Sequence, residues 1–124
     1  MNKVLVVDDQ ADIRRLINWS LEILDVEIHE AINGETALRM VRTVKPALLI
    51  VDVMMPGDID GLEVCRRIKA EAGQSVPRII LLSARGQVAD VELGLAAGAD
   101  AYLVKPFSPQ RLVEAAERLM KATA

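Results

Sequence analysis

Four short apolar runs in this chain each end abruptly at a polar or ionisable residue. Val4 to Val7 runs into Asp8-Asp9, Ala47 to Val51 into Asp52, Ile79 to Leu82 into Ser83, and Tyr102 to Val104 into Lys105-Pro106. Runs of this length without alternation, separated by helical patterns, read as strands buried in a parallel sheet. Val26 to Glu30 does alternate, which predicts a half-exposed edge strand. Between the strands the apolar spacing turns helical. Ile13, Leu16, Ile17, Leu21 and Leu24 share one face, as do Ala37, Leu38, Val41 and Val44 in a helix that stops before Pro46. Leu62, Cys65 and Ile68 mark a third helix, and Gln87 to Ala97 a fourth with Gly98 as its left-handed cap. Pro77 is placed at the opening of the fourth strand. Ser108-Pro109 starts a fifth helix, with Leu112, Val113, Ala116 and Leu119 facing inward. Strand and helix alternate throughout, which predicts an α/β domain built on a parallel sheet.

Composition narrows the class. The chain has 124 residues, 52% of them hydrophobic, enough for one domain over residues 1–124 with a sheet covered on both faces. A net charge of −3 and a pI near 5.2 argue against direct nucleic-acid binding and against an anionic membrane partner. No run approaches the length of a membrane span, and the apolar stretch after Lys3 is too short for a signal peptide. A lone cysteine, Cys65, fits a reducing compartment. The expectation is a soluble, cytoplasmic, single-domain protein.

The strand ends then acquire chemical meaning. In a parallel sheet all carboxyl ends lie on one edge, where open α/β sheets bind ligands. Asp8, Asp9, Asp52, Ser83 and Lys105 would meet there. Asp8-Asp9 alone could be a solvated turn capping a helix. With Asp52 added, three converging carboxylates repel unless a cation intervenes, and Mg²⁺ (or Mn²⁺) is suited to that donor set. Asp52 has two compatible roles, metal ligand and phosphorylated nucleophile. Lys105 would neutralise charge on a transferring phosphoryl group, and the Ser83 hydroxyl would donate to one of its oxygens.

Over residues 1 to about 121 the chain resembles the receiver (CheY-like) domain of two-component response regulators. The resemblance rests on Val6-Val7-Asp8-Asp9, Val51-Asp52-Val53-Met54-Met55-Pro56-Gly57, Ser83-Ala84, Ala97-Gly98-Ala99-Asp100-Ala101-Tyr102 and Lys105-Pro106-Phe107. It implies a flavodoxin-like, doubly wound five-stranded sheet in the order 2-1-3-4-5 with five helices. It implies that Asp52 accepts a phosphoryl group from a sensor histidine kinase or a histidine phosphotransfer protein. Asp8, Asp9, Asp52 and the Met54 carbonyl match the metal site, and Ser83, Tyr102 and Lys105 match the switch residues. A cis peptide before Pro106 is implied as well. Switching would draw Ser83 and Lys105 inward and let Tyr102 turn in behind Ser83. That remodels the surface of the fourth helix, fifth strand and fifth helix for an output domain, an effector or a phosphorylation-dependent homodimer.

The sequence departs from that pattern in one loop: Gly57-Asp58-Ile59 stands between Pro56 and Asp60 where two residues are typical. Met54 offers nothing to orient water, which predicts slow self-dephosphorylation, and Arg85 occupies the other position that tunes it. Three other readings remain open. A Mg²⁺ phosphatase of haloacid dehalogenase type would want a second acid two residues after Asp52, where Met54 stands. A flavin- or nucleotide-binding module would cradle phosphate at the first βα turn, where Asp8-Asp9 repels it unless metal intervenes. A binding module that is never phosphorylated would not need the full set of pocket residues. His29 is expected on the surface, Cys65 in the core, Trp19 partly exposed, and Phe107 packed beside the Lys105-Pro106 turn.

Overall fold

The computed structural model describes residues 1–71 and 76–121. One sheet of five parallel strands runs β2-β1-β3-β4-β5, with β1 (Asn2–Val7), β2 (Val26–Ala31), β3 (Leu48–Asp52), β4 (Arg78–Ser83) and β5 (Ala101–Val104). The helices are α1 (Ala11–Ser20), α2 (Gly34–Val44), α3 (Gly61–Ala70), α4 (Val88–Ala96) and α5 (Pro109–Lys121). This is the doubly wound, flavodoxin-like order that the resemblance implied.

Alternation is present in the central strands, but both of its phases are buried. Leu5, Val7, Leu49, Val51, Ile79 and Leu81 pack against Ala37 of α2 and Val64, Cys65 and Ile68 of α3. Val4, Val6, Leu48, Ile50, Ile80 and Leu82 pack instead against Ile17 of α1 and Leu112, Ala116 and Leu119 of α5. Two apolar cores on one sheet require unbroken apolar strands. Each fully buried Leu or Ile contributes about 1.5–3 kcal/mol. Edge strand β2 keeps its alternation, with Val26 and Ile28 on the second core and His29 paired with Glu27 at 2.6 Å.

Several boundaries shift. Helix α1 stops at Ser20, whose hydroxyl donates back to the Leu16 carbonyl at 2.7 Å. Leu21 sits in a 3₁₀ turn and Leu24 lies beyond it. Pro77 precedes β4 rather than opening it, Gln87 and Ala97 flank α4, and Ala115 and Met120 join the buried face of α5 while Val113 is only half-buried. Side-chain caps at Asn33 and Asp60, accepting from Thr36 and Glu63, fix the starts of α2 and α3. Helix α4 is the least anchored: within it only Gly94 is buried, and Val88, Leu93 and Leu95 face outward.

The end of β3 is wedged against the first residue of α3. A Cβ on Gly61 would fall 2.2 Å from the Asp52 carbonyl oxygen and 2.7 Å from the Val53 Cα, both backbone atoms. Gly61→Ala is therefore expected to cost about 3 kcal/mol in a urea titration, at the upper end of overpacking. An unchanged midpoint would mean that this corner yields freely.

Candidate functional site

Strand register assembles the pocket. Val7 lies beside Val51 across β1 and β3, so Asp8 emerges next to Asp52. Asp52 lies beside Leu82, and Ser83 beside Val104, which puts Lys105 one residue beyond the level of Ser83. Two backbone bonds of 2.8 Å continue the ladder past the strand ends, Val53 N–H to Leu82 and Lys105 N–H to Ser83. The Lys105-Pro106 peptide is cis, as the resemblance implied.

Asp8 and Ser83 are fully buried and Asp52 is 5% exposed, whereas Asp9 faces solvent. One carboxylate oxygen from each of Asp8, Asp9 and Asp52 lies within 4.8 Å of the other two. The Lys105 ammonium stands between two of them, 3.1 Å from Asp8 Oδ2 and 3.3 Å from Asp52 Oδ1. Asp52 Oδ1 also accepts from the Met54 N–H at 3.3 Å. Burial pushes the Asp52 carboxyl above the ordinary carboxylate range, and the neighbouring Asp8 charge adds to that. Lys105 and the Met54 N–H pull it back without cancelling the rise. One ammonium against three carboxylates leaves the pocket short of positive charge, and hard oxygen donors at this spacing fit a small divalent cation.

Neither aspartate caps α1; Gln10 takes that position, and its N–H donates to Asp8 Oδ1 at 2.9 Å. The Asp8 carbonyl accepts from Arg14 Nη1 at 2.8 Å, and Asp8 N–H donates to Ala31 at 3.1 Å. Arg14 carries no signal in the sequence because its side chain meets Asp8 only when α1 folds back along β1.

The Ser83 hydroxyl accepts from the Arg85 N–H at 3.0 Å and retains its own hydrogen for a further acceptor. Tyr102, expected to turn in on switching, is already packed on the first core, its hydroxyl donating to the Arg85 carbonyl at 2.8 Å. Gly94 makes room for that ring, since a Cβ there would lie 2.7 Å from Tyr102 Cδ2. Asp100, read in the sequence only as part of a motif, ties β4 to α3. It accepts from Lys69 Nζ and the Ile79 N–H at 2.8 Å each, and from Arg78 Nη1 at 3.3 Å. Burial pushes its carboxyl up, but these partners outweigh that and hold it below the usual range.

In the longer loop, Gly57 takes a left-handed φ of 101° and Asp58 is exposed. Ile59 packs so closely over the start of α2 that a Cβ on Gly34 would meet its Cγ2 at 2.7 Å. Of the remaining residues singled out, Trp19 is 71% exposed, Phe107 packs on the second core, and burial pushes the Cys65 thiol up to about 11. Among the described residues, no helix is long and apolar enough to cross a membrane.

Comparison with known proteins agrees with this geometry. The family model for the response regulator receiver domain matches residues 4–117. The protein named probable transcriptional regulator ycf27 from Pyropia yezoensis is 49% identical over 110 residues, covering 89% of this chain and 44% of its own length. Transcriptional regulatory protein ResD of Bacillus subtilis is 44% identical over 119 residues, covering 96% of this chain and 48% of its own. The chain thus spans about half the length of the curated relatives it matches. Among solved structures, the receiver domain of the Francisella response regulator 1452 superposes with a TM-score of 0.91 at 31% identity, covering 100% of both chains. In sequence and in fold alike, the chain belongs to the response regulator receiver domain family.

Proposed function

We propose that residues 1–124 form a single phosphoacceptor domain. It takes a phosphoryl group onto Asp52 from a sensor histidine kinase or a histidine phosphotransfer protein. The observation that carries this reading is the Lys105 ammonium bridging the buried Asp8 and Asp52 in a three-carboxylate cluster with the exposed Asp9. Asp8, Asp9, Asp52 and the Met54 carbonyl hold Mg²⁺ or Mn²⁺, which when bound neutralises charge on the phosphoryl oxygens. An ionised Asp52 oxygen attacks phosphorus; the new P–O bond forms as the P–N bond to the donor imidazole breaks, its electron pair leaving on the ring nitrogen. Lys105 then follows the new dianion, and the Ser83 hydroxyl donates to one of its oxygens.

Signalling passes to the surface of α4, β5 and α5. Tyr102 spans Gly94 of α4 and the Arg85 carbonyl, so movement of the loop between Ser83 and Arg85 reaches a helix held by few buried side chains. The similar proteins named as transcriptional regulators are about twice as long. On that basis this surface governs an output domain or effector, or a homodimer formed on phosphorylation, in the cytoplasm. A phosphatase of haloacid dehalogenase type would place a general acid at position 54, where an exposed methionine stands.

Acetyl phosphate with Mg²⁺ should add the mass of one phosphoryl group, with no sustained turnover of p-nitrophenyl phosphate. Catalytic turnover of that ester would favour the phosphatase. With Met54 offering no polar group beside Asp52, the phosphorylated form should decay with a half-life of many minutes or longer; decay within seconds would contradict this.

A further inference from the structure

We propose that Arg14 is a positioning residue for the metal-binding turn, acting by holding the Asp8 backbone from outside the pocket. The inference rests on the divalent-metal reading of Asp8, Asp9 and Asp52. Arg14 lies on the first turns of α1 with its side chain only 16% exposed. Its Nη1 donates to the Asp8 carbonyl at 2.8 Å, and its Nε donates to Glu30 Oε1 at 2.8 Å on edge strand β2. The second Glu30 oxygen accepts from Asn18 Nδ2 at 3.2 Å, one turn further along α1. A rigid planar fork is thus fixed at one end by β2 and α1, and presses its other end onto the residue that begins the acidic turn. Asp8 has its remaining polar atoms fixed by Ala31, Gln10 and Lys105, so the carbonyl bond completes its immobilisation. Outer partners of this kind orient metal ligands that they do not touch.

Charge and geometry make opposite predictions here. Arg14 is a cation near an acidic pocket, and through its charge alone it would repel a divalent ion. Removing it would then tighten metal binding. As a positioning residue its removal must loosen binding, because the Asp8-Asp9 turn gains freedom that the metal has to suppress.

The test is Mn²⁺ binding to the unphosphorylated protein, read from the free-ion signal in electron paramagnetic resonance. Arg14→Met should raise the Mn²⁺ dissociation constant about tenfold, the lower range for lost outer-shell partners. Arg14→Lys keeps the charge and the long stem but cannot hold Glu30 and the Asp8 carbonyl together, and should weaken binding by a smaller factor. Arg15→Met, on the exposed neighbour, should leave binding unchanged. Tighter or unchanged binding in Arg14→Met overturns the proposal. If that variant does not fold, unchanged binding in Arg14→Lys overturns it equally. A parent protein that binds no Mn²⁺ would defeat the metal-site reading itself, and this inference with it.

Discussion

Asp52→Asn is expected to abolish phosphoryl labelling by acetyl phosphate and Mg²⁺ while stabilising the metal-free protein at neutral pH. The first effect follows from chemistry: an amide oxygen is a poor nucleophile, and the metal loses an anionic ligand. The second follows from linkage. The Asp52 carboxyl titrates above its ordinary range because it is buried beside Asp8. The folded state therefore binds that proton more tightly than the unfolded state, and folding loses stability as pH rises from the ordinary carboxylate value through the raised one. Asparagine does not titrate, so its advantage should be complete above the raised value and fade in acid. Mass spectrometry reads the first effect and urea midpoints at neutral and acid pH the second. A one-phosphoryl mass gain surviving in the variant would remove Asp52 from the acceptor role.

Lys105→Met should act in the opposite direction on stability. Its ammonium is the cation within reach of both Asp8 and Asp52, and its side chain is 17% exposed. Removing one partner of a buried charge cluster costs about 3–5 kcal/mol, because the remaining charges stay buried without compensation. Methionine retains most of the apolar stem, so the loss reports charge more than packing. Two signatures separate this from ordinary damage to the fold. Mg²⁺ should restore more stability to the variant than it adds to the parent, since it takes over the missing neutralisation. Labelling by acetyl phosphate should slow by about 10²–10³-fold, as expected when a preorganised positive group is taken from a transferring phosphoryl. Equal Mg²⁺ shifts in parent and variant would show that Lys105 does not compensate the acids.

The strands and the site residues were legible because both follow from local pattern. An unbroken run such as Leu48 to Val51 can only be satisfied between two layers, and parallel strands deliver their terminal residues to one edge. That logic brings Asp8, Asp52, Ser83 and Lys105 to one edge of the sheet. Less visible were features set by tertiary contact. Lys45 closes α2 at a φ of 54°, a conformation its side chain does not announce. Arg14 and Asp100 look like ordinary surface charges, because their partners lie on elements brought close only by folding. The resting place of Tyr102 depends on the absent Cβ of Gly94, one helix away, which no local pattern shows. Leu21 and Leu24 fit a helical stripe, yet the chain tightens into a 3₁₀ turn at Leu21–Ile23 and is extended at Leu24.

The bond between Lys105 and Asp8 joins residues 97 positions apart. Strands β2 to β5 all lie between them in the chain, so the pocket closes only after the last strand has paired. Chains emerge amino-terminus first during synthesis and fold as units. A nascent chain that has exposed its first four strands carries the acids without their internal cation, and the repulsion among them opposes early closure. On the proposed reading, competence to accept a phosphoryl group is therefore a property of the finished domain alone.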